Sequence, residues 1–297
     1  MRSPGAAVDL RQRDARPGAK LDADGVIARE TSRSVRRRRV RRVGVIAARV
    51  AVVVGFIAFW DLASGWLVRP FFVSTPKAVG EQLVEWAGSG DFWFHARFTL
   101  AAAGLGYLLG TTLGIVFAWP LALKRTAYRI VEPYFLVAYS VPAVALGPVF
   151  ILWFGIGLLP KVILAAYFVF FIVFINTVEG FRQVPRGLVE VTRVMGASPW
   201  RTVRSVMVPG ALPYILAALR VTLPAAMIGA VVGEFIASNR GIGFLAGEAA
   251  GRFSTARVLA AVIVLAAIVL LMSVALRPLS RAVRWQPEVR LRGGAAS

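Results

Sequence analysis

Residues 190–209, with the sequence EVTRVMGASPWRTVRSVMVP, form a polar interruption between two long apolar runs. Side chains that suit one helix face recur there at helical spacing: Leu188, Val191, Thr192 and Met195. Gly196 follows them, and glycine readily adopts the left-handed conformation that commonly ends a helix. The pattern therefore predicts a short helix that stops at Gly196.

A second helix is predicted directly after this turn. Ser198 is a suitable N-cap, and Pro199 fits the first helical turn because it needs no backbone hydrogen there. Val203, Val206 and Met207 then line one side of the helix. The whole stretch predicts helix, tight turn and helix, and it is too polar to cross a bilayer.

The chain around this stretch is strongly apolar. Hydrophobic residues make up 58% of its 297 residues, and the mean hydropathy is +0.68. A helix needs about 20 mostly apolar residues to cross a membrane. Candidate runs lie at 43–68, 98–121, 130–154, 162–178, 214–236 and 258–276. The predicted fold class is therefore all-α, a polytopic membrane protein with six transmembrane helices.

Basic residues predict how these helices are oriented. The net charge is +20, and Lys and Arg concentrate in the two tails and in the connections at 124–129 and 182–204. Connections rich in Lys and Arg remain in the cytoplasm. We therefore expect both termini and the 182–204 connection to be cytoplasmic, and the intervening connections to lie outside.

Composition divides the chain into three parts. Residues 1–42 lack periodicity and end in RRRRVRR, which predicts a disordered basic cytoplasmic tail. Residues 43–285 are predicted to form the membrane domain, with a cytoplasmic loop at 181–213, and residues 286–297 a short cytoplasmic tail. Anchoring the first span is the favoured role of the arginine run; binding to nucleic acid or to a partner is the alternative.

Small residues and prolines predict how the spans pack. Small side chains at intervals of four let helices approach closely in lipid. Two runs have this spacing: Gly106, Gly110 and Gly114, and Ala225, Gly229 and Gly233. Helix packing is the favoured role of both sets, with lining of a pore as the alternative. Kinks are predicted at Pro142, Pro148 and Pro224.

One connection on the predicted outer side has a helical pattern of its own. Thr75 can cap a helix that begins at Pro76, and Val79, Leu83 and Trp86 share one face. This predicts a short amphipathic helix that lies in the lipid interface or touches a partner.

Residue content excludes several kinds of chemistry. The chain has no cysteine and a single histidine, His95, so thiolate sites and histidine clusters are excluded. It has no G-x-x-x-x-G-K-[ST] phosphate loop and no evident pair of catalytic carboxylates. We therefore predict that the chain is not an enzyme and that a separate polypeptide binds any nucleotide.

Acidic residues in the membrane leave one alternative open. Glu132, Glu179 and Glu234 lie near the predicted ends of spans, which favours interfacial or helix-end charges. An ion-coupled secondary transporter would instead place ionisable groups near the middle of the membrane. That class of carrier, acting without an ATPase, is the alternative function.

The stretch at 190–209 has three interpretations on its pattern alone: a DNA-binding helix-turn-helix, a passive loop at the membrane, or a docking element for a soluble partner. Its residues resemble a known motif. Glu190, Gly196, Val206, Val208 and Pro209 match the spacing of the EAA loop of binding-protein-dependent ABC transporter permeases. Here EVT stands where that family usually has Glu-Ala-Ala.

Three further segments strengthen the resemblance: YSVPAVALGPVFILWFGIG at 139–157, INT at 175–177 and GEFIASNRGIGFL at 233–245. They look like the subgroup that imports nitrate, sulfonates, taurine and pyrimidine-type vitamin precursors. The resemblance covers about residues 60–285 and is typical of a type I ABC importer permease in the bacterial inner membrane.

The resemblance implies partners and site residues. Two permease subunits, here a homodimer, would form the pore for a small solute that an extracytoplasmic binding protein delivers. Cytoplasmic ATPases would bind ATP and magnesium, leaving no cofactor in this chain. The implied docking residues are Glu190, Thr192, Arg193, Gly196, Ala197, Arg201 and Pro209. The candidate pore or gate residues are Pro142, Asn176 and Glu234.

Overall fold

The structure is a computed structural model that describes residues 44–236 and 238–275. These residues are almost entirely helical and contain no β-strand. The helices are α1 Gly44–Trp66, α2 Pro70–Val73, α3 Pro76–Gly88, α4 Gly90–Leu123, α5 Arg125–Ser140, α6 Ala143–Phe154, α7 Leu158–Arg182, α8 Arg186–Val194, α9 Pro199–Thr202, α10 Val208–Ile236, α11 Ile242–Gly251 and α12 Thr255–Ala275, with a π-helical turn at Val203–Met207. The predicted tails at 1–42 and 286–297 lie outside the described residues.

Helix length and composition confirm the polytopic all-α prediction. Five stretches are long and apolar enough to cross a membrane: α1, α4, α7, the continuous stretch Pro199–Ile236, and α12. The pair α5 and α6 makes up to six if it counts as one span. Most of α1 belongs to a contact unit that ends at Ala63, and the rest of the described chain forms a second unit.

The third predicted span is not one helix. Its two parts, Thr126–Ser140 and Ala143–Phe154, are bent by 88°. The bend confirms the predicted effect of Pro142, because a residue that precedes proline is disfavoured in helical conformation. Val141 is accordingly extended, with φ −68° and ψ 124°. The predicted span at 130–154 is therefore broken at the predicted position into two helices.

Helix α7 lies at the centre of the second unit, with α4 packed along one side. A Cβ atom added to Gly110 would lie 2.5 Å from the carbonyl oxygen of Ala166, and one at Gly114 would lie 3.0 Å from that of Phe170. Gly106 approaches Ala165 in the same way. The three glycines thus bring the two backbones into direct contact.

Helix α10 packs against the same part of α7. A Cβ atom at Gly229 would lie 2.6 Å from the Cα of Ala165, and one at Gly233 would lie 3.1 Å from the Cα of Lys161. Ala225, in the same series, is half-buried. Ala165 is therefore enclosed from two sides, and its exposed fraction is 0%.

The amphipathic helix α3 forms as predicted and begins at the predicted cap. Thr75 Oγ1 accepts a hydrogen bond from the backbone of Ala78 at 3.2 Å. Val79 is buried, and Trp86 stacks on Phe92 of α4 with ring centroids 5.5 Å apart. Helix α3 packs against α4 and α12 of the same chain, which cover part of the apolar face, while Leu83 and Trp86 remain half-buried.

The glycine contacts generate a stability prediction. We expect Gly110→Ala to lower the melting temperature of the purified chain, because overpacking of a tight contact costs about 1–3 kcal/mol. Gly104→Ala is the matched control on the same helix, since nothing lies within 4 Å of its added Cβ. Thermal unfolding in detergent measures both. Equal melting temperatures for the two variants would contradict the packing argument.

Candidate functional site

The stretch at 186–207 folds as helix, tight turn and helix, as its sequence predicts. Helix α8 ends at a left-handed Gly196, with φ +77°. The Gly196 amide donates to the carbonyl of Arg193 at 2.9 Å, and the Ala197 amide donates to that of Thr192 at 3.0 Å. These two bonds form the Schellman motif that closes a helix at glycine.

The second helix of this element begins at the predicted cap. Ser198 Oγ accepts a hydrogen bond from the Arg201 amide at 3.3 Å, and Pro199 occupies the first helical position. Thr192 Oγ1 and Thr202 Oγ1 are 3.4 Å apart, which joins α8 to α9. Because Pro199–Ile236 is one continuous helical stretch, α8 is attached to the end of a membrane-spanning rod.

The element presents apolar side chains that the described chain does not cover. Val194 is 88% exposed, Met195 79% and Trp200 64%, while Leu188 and Val191 are also exposed. The predicted docking residues lie on the same element: Glu190, Arg193, Gly196 and Arg201 are exposed, Thr192 and Ala197 are half-buried, and Pro209 is exposed at the start of α10. An apolar surface with a charged rim has the composition of a protein interface.

A cavity of about 340 Å³ lies beside this element. Charged side chains line it, namely Arg182, Arg186, Glu190 and Arg193, together with apolar residues from the end of α4. The guanidinium of Arg182 lies 4.4 Å from the ring centroid of Tyr128. This contact connects the end of α7 to α5, so the element borders several spans.

A second polar group lies at the opposite end of α10. Glu234 is 1% exposed, and its carboxylate accepts hydrogen bonds from Thr99 Oγ1, at 2.9 Å, and from the Gly243 amide, at 2.8 Å. Thr99 Oγ1 in turn accepts from the Ile242 amide at 2.8 Å. The carboxylate therefore joins α10 to α4 and to the start of α11.

Glu234 lies near the end of a span, as the sequence predicts, but its side chain is buried. The residue is near the end of α10, but the following connection folds back over it. Gly241 has φ +117°, and any Cβ there would overlap the Glu234 carboxylate. The apolar pattern of one helix does not reveal such a return of the chain, although the closely spaced Gly241 and Gly243 are a signal for it.

Two further residues that bond to this group, His95 and Lys161, were not identified from the sequence. His95 Nδ1 accepts from the Gly241 amide at 3.0 Å, and Lys161 Nζ donates to the carbonyl of Arg240 at 3.0 Å. Lys161 precedes the predicted span at 162–178, but it lies inside α7 and is 4% exposed. His95 and Thr99 are four residues apart, which places them on one helix face.

The three candidate pore residues do not form one site. Asn176 donates to the carbonyl of Ile172 within its own helix at 2.8 Å, and Pro142 is exposed at the bend before α6. Glu234 is level with Lys161 on α7, so Asn176 lies about 22 Å further along that helix at 1.5 Å per residue. Within residues 44–236 and 238–275, no group of three His, Cys, Asp or Glu could hold a metal ion.

Comparison with known proteins places the chain among transport proteins. Residues 110–285 match the family described as binding-protein-dependent transport system inner membrane component. The riboflavin transport system permease protein RibX of Chloroflexus aurantiacus is 36% identical over 77% of this chain and 87% of the relative. The taurine transport system permease protein TauC of Escherichia coli is 30% identical over 85% of this chain and 96% of the relative.

A solved structure shows the same fold. The crystal structure of a bacterial ABC transporter involved in the import of the acidic polysaccharide alginate superposes on 83% of this chain and 98% of its own chain. The TM-score is 0.56 at 14% sequence identity, so the likeness concerns the fold. The match confirms a type I importer fold, and the relatives confirm the resemblance seen in the sequence. The chain belongs to the binding-protein-dependent inner membrane transport components and is the permease subunit of an ABC importer.

Proposed function

We propose that this permease moves a small solute through a pore formed by two copies of the chain, with ATP hydrolysed by a separate ATPase docked on residues 186–204. One observation supports the docking site most strongly. The helices α8 and α9 carry an exposed apolar surface, and α9 continues directly into the membrane-spanning α10. Because the chain belongs to this family, an ATP-driven importer is favoured over the ion-coupled carrier that the sequence left as an alternative.

The proposed mechanism uses the rigidity of this connection. An ATPase that moves when it binds ATP would displace α8 and α9, and the displacement would pass along α10. Because Gly229 and Gly233 hold α10 at backbone distance from α7, the two helices would move together. Such transmission requires an element with two discrete arrangements that both sites bias. In this proposal the pore between the two subunits is that element, and it alternates between two arrangements.

The substrate and the remaining partners are part of the proposal. Riboflavin and taurine, named in two relatives, are small solutes, and taurine carries a sulfonate. We infer that this chain takes a small organic anion or a ring compound of similar size, delivered by an extracytoplasmic binding protein. The binding protein would set the choice among such solutes.

Orientation follows from the basic residues. The connection between α7 and α10 is richer in arginine than the connection that holds Asn239 and Arg240. The former contains Arg186, Arg193, Arg201 and Arg204. Applying the positive-inside rule, we place α8 and both termini in the cytoplasm. Helix α3 and the α10–α11 connection then lie outside.

Labelling of single cysteines tests this orientation. The chain has no cysteine, so Glu81→Cys, Asn239→Cys and Lys124→Cys would each supply one thiol at an exposed position. We expect a membrane-impermeant maleimide to label the first two from outside, and the third only after the membrane is permeabilised. Labelling of Lys124→Cys in intact cells would show that the proposed orientation is wrong.

The conformation of Gly196 provides a test of the docking element. A β-branched residue at positive φ costs on the order of 1–3 kcal/mol, so Gly196→Val should distort the turn between α8 and α9. We expect membrane abundance to remain normal while ATPase co-purification weakens and uptake is lost. Asn tolerates this conformation far better, so Gly196→Asn should retain most of both.

The control is Gly88→Val at the exposed end of α3, outside the docking element. Its added Cβ meets nothing within 4 Å, and its φ lies outside the left-handed region. Uptake should be near normal in this variant. Normal uptake by Gly196→Val at normal abundance would show that the loop does not couple ATP hydrolysis to transport.

Division of labour between subunits is tested by ATP hydrolysis. The chain lacks a phosphate-loop motif, so we expect the purified chain to neither bind nor hydrolyse ATP specifically. The assembled transporter in proteoliposomes should hydrolyse ATP, and faster when loaded binding protein is added. Specific hydrolysis by the isolated chain would overturn the proposed assignment.

A further inference from the structure

Two arginines share the same pair of aromatic rings at one end of the bundle. The guanidinium carbon of Arg97 lies 4.6 Å from the ring centroid of Phe94 and 5.4 Å from that of Phe98. The guanidinium carbon of Arg240 lies 5.4 Å and 5.0 Å from the same centroids. Cation–π attraction therefore holds both guanidiniums against the same pair of rings. We call these four residues the arginine–aromatic cluster.

No acidic side chain neutralises this cluster within the part of the chain that the structure describes. The ion pairs found there involve Lys77, His95 and Arg252, so neither guanidinium has a carboxylate oxygen within 4.0 Å. The carboxylate of Glu234 is committed to Thr99 and Gly243. Two adjacent cations repel each other, and a bound anion would offset that repulsion.

The backbone of Arg240 is fixed before any ligand arrives. Its carbonyl accepts from Lys161 Nζ at 3.0 Å, and its amide donates to Ser238 Oγ at 3.0 Å. The next amide, that of Gly241, donates to His95, which is on the same helix as the two rings. A site whose parts are already in place loses less entropy on binding.

The cluster lies near the level of lipid headgroups. Helix α4 has 34 residues, which span about 51 Å at 1.5 Å per residue, whereas the hydrocarbon core is about 30 Å thick. Arg97 is in the second turn of this helix, and the neighbouring Trp93 is 61% exposed. Tryptophan is typical of the membrane–water interface. Both arginine side chains are exposed and open to a ligand.

We propose that the arginine–aromatic cluster is an oxyanion-binding site. A guanidinium presents paired N–H donors that match the oxygens of a phosphate, sulfonate or carboxylate. The phosphate of an anionic phospholipid and the acidic group of a free solute share this chemistry. The site is separate from the docking surface on α8 and α9, and it does not depend on how ATP is coupled to transport.

The test compares the Arg97→Gln, Arg240→Gln double variant with the unmodified chain in two assays. In the lipid assay, the assembled transporter is exchanged into nanodiscs that contain phosphatidylglycerol in phosphatidylcholine, and retained phosphatidylglycerol is measured by native mass spectrometry. In the solute assay, sulfate and taurine are titrated in nanodiscs of phosphatidylcholine alone. We expect roughly tenfold weaker binding in one assay, since charge-assisted hydrogen bonds are lost.

The control is Arg252→Gln, at an exposed arginine that already pairs with Glu248 at 2.7 Å. It removes one positive charge from the same end of the bundle, and it should bind both probes like the unmodified chain. The single variants Arg97→Gln and Arg240→Gln, each exposed, test the site if the double variant is unstable. Arg240→Lys should bind more weakly than arginine because lysine lacks the planar fork.

The outcomes are distinct. Weakened phosphatidylglycerol retention in the cluster variants alone supports the site and identifies a lipid ligand. Weakened sulfate or taurine binding in those variants alone supports the site and identifies a free anion. If the cluster variants match Arg252→Gln in both assays, the arginines are ordinary surface charges and the proposal is wrong.

Discussion

Direct backbone contact of α7 with both α4 and α10 is the constraint on which the rest of the structure depends. In lipid the hydrophobic effect does not drive apolar helices together, so close packing supplies much of the cohesion. Gly110 faces Ala166, and Gly229 faces Ala165, so both contacts fall within the same turn of α7. A slide of either helix by one residue would place a side chain where only hydrogen fits. The three helices therefore have one register.

This register gives α10 a mechanical position that no other described helix has. One end continues without interruption from Pro199 in the docking element, and the other ends two residues after Glu234, which is bonded to α4 and α11. A displacement applied at the first end reaches the polar group at the second only if α10 is stiff. Packing against α7 supports this stiffness, although Pro213 and Pro224 interrupt the helical hydrogen bonding locally.

The sequence was sufficient for features that depend on local chemistry. Gly196, Ser198 and Pro199 determine the turn through conformations and caps that each residue type favours on its own, and the structure has that turn. The break at Pro142 has the same local origin, whereas the Tyr167 hydroxyl of α7, which donates to the carbonyls of Ala138 and Val141 at the bend, comes from a distant part of the sequence. The surroundings of Glu234 could not be predicted, because they arise from residues 135 positions away in sequence, such as Thr99.

The polar side chains around Glu234 are needed because the connection between α10 and α11 has backbone amides that require hydrogen-bond acceptors. From residue 238 to residue 241 the backbone is irregular, and amide groups away from water need partners from the protein. The side chains of Thr99 and His95 supply acceptors for the amides of Ile242 and Gly241, and the Glu234 carboxylate accepts from Gly243. A buried carboxylate is unfavourable unless hydrogen bonds compensate it, and the Thr99 hydroxyl and the Gly243 amide provide them. Helix α11 is thereby joined to α4 at one defined position.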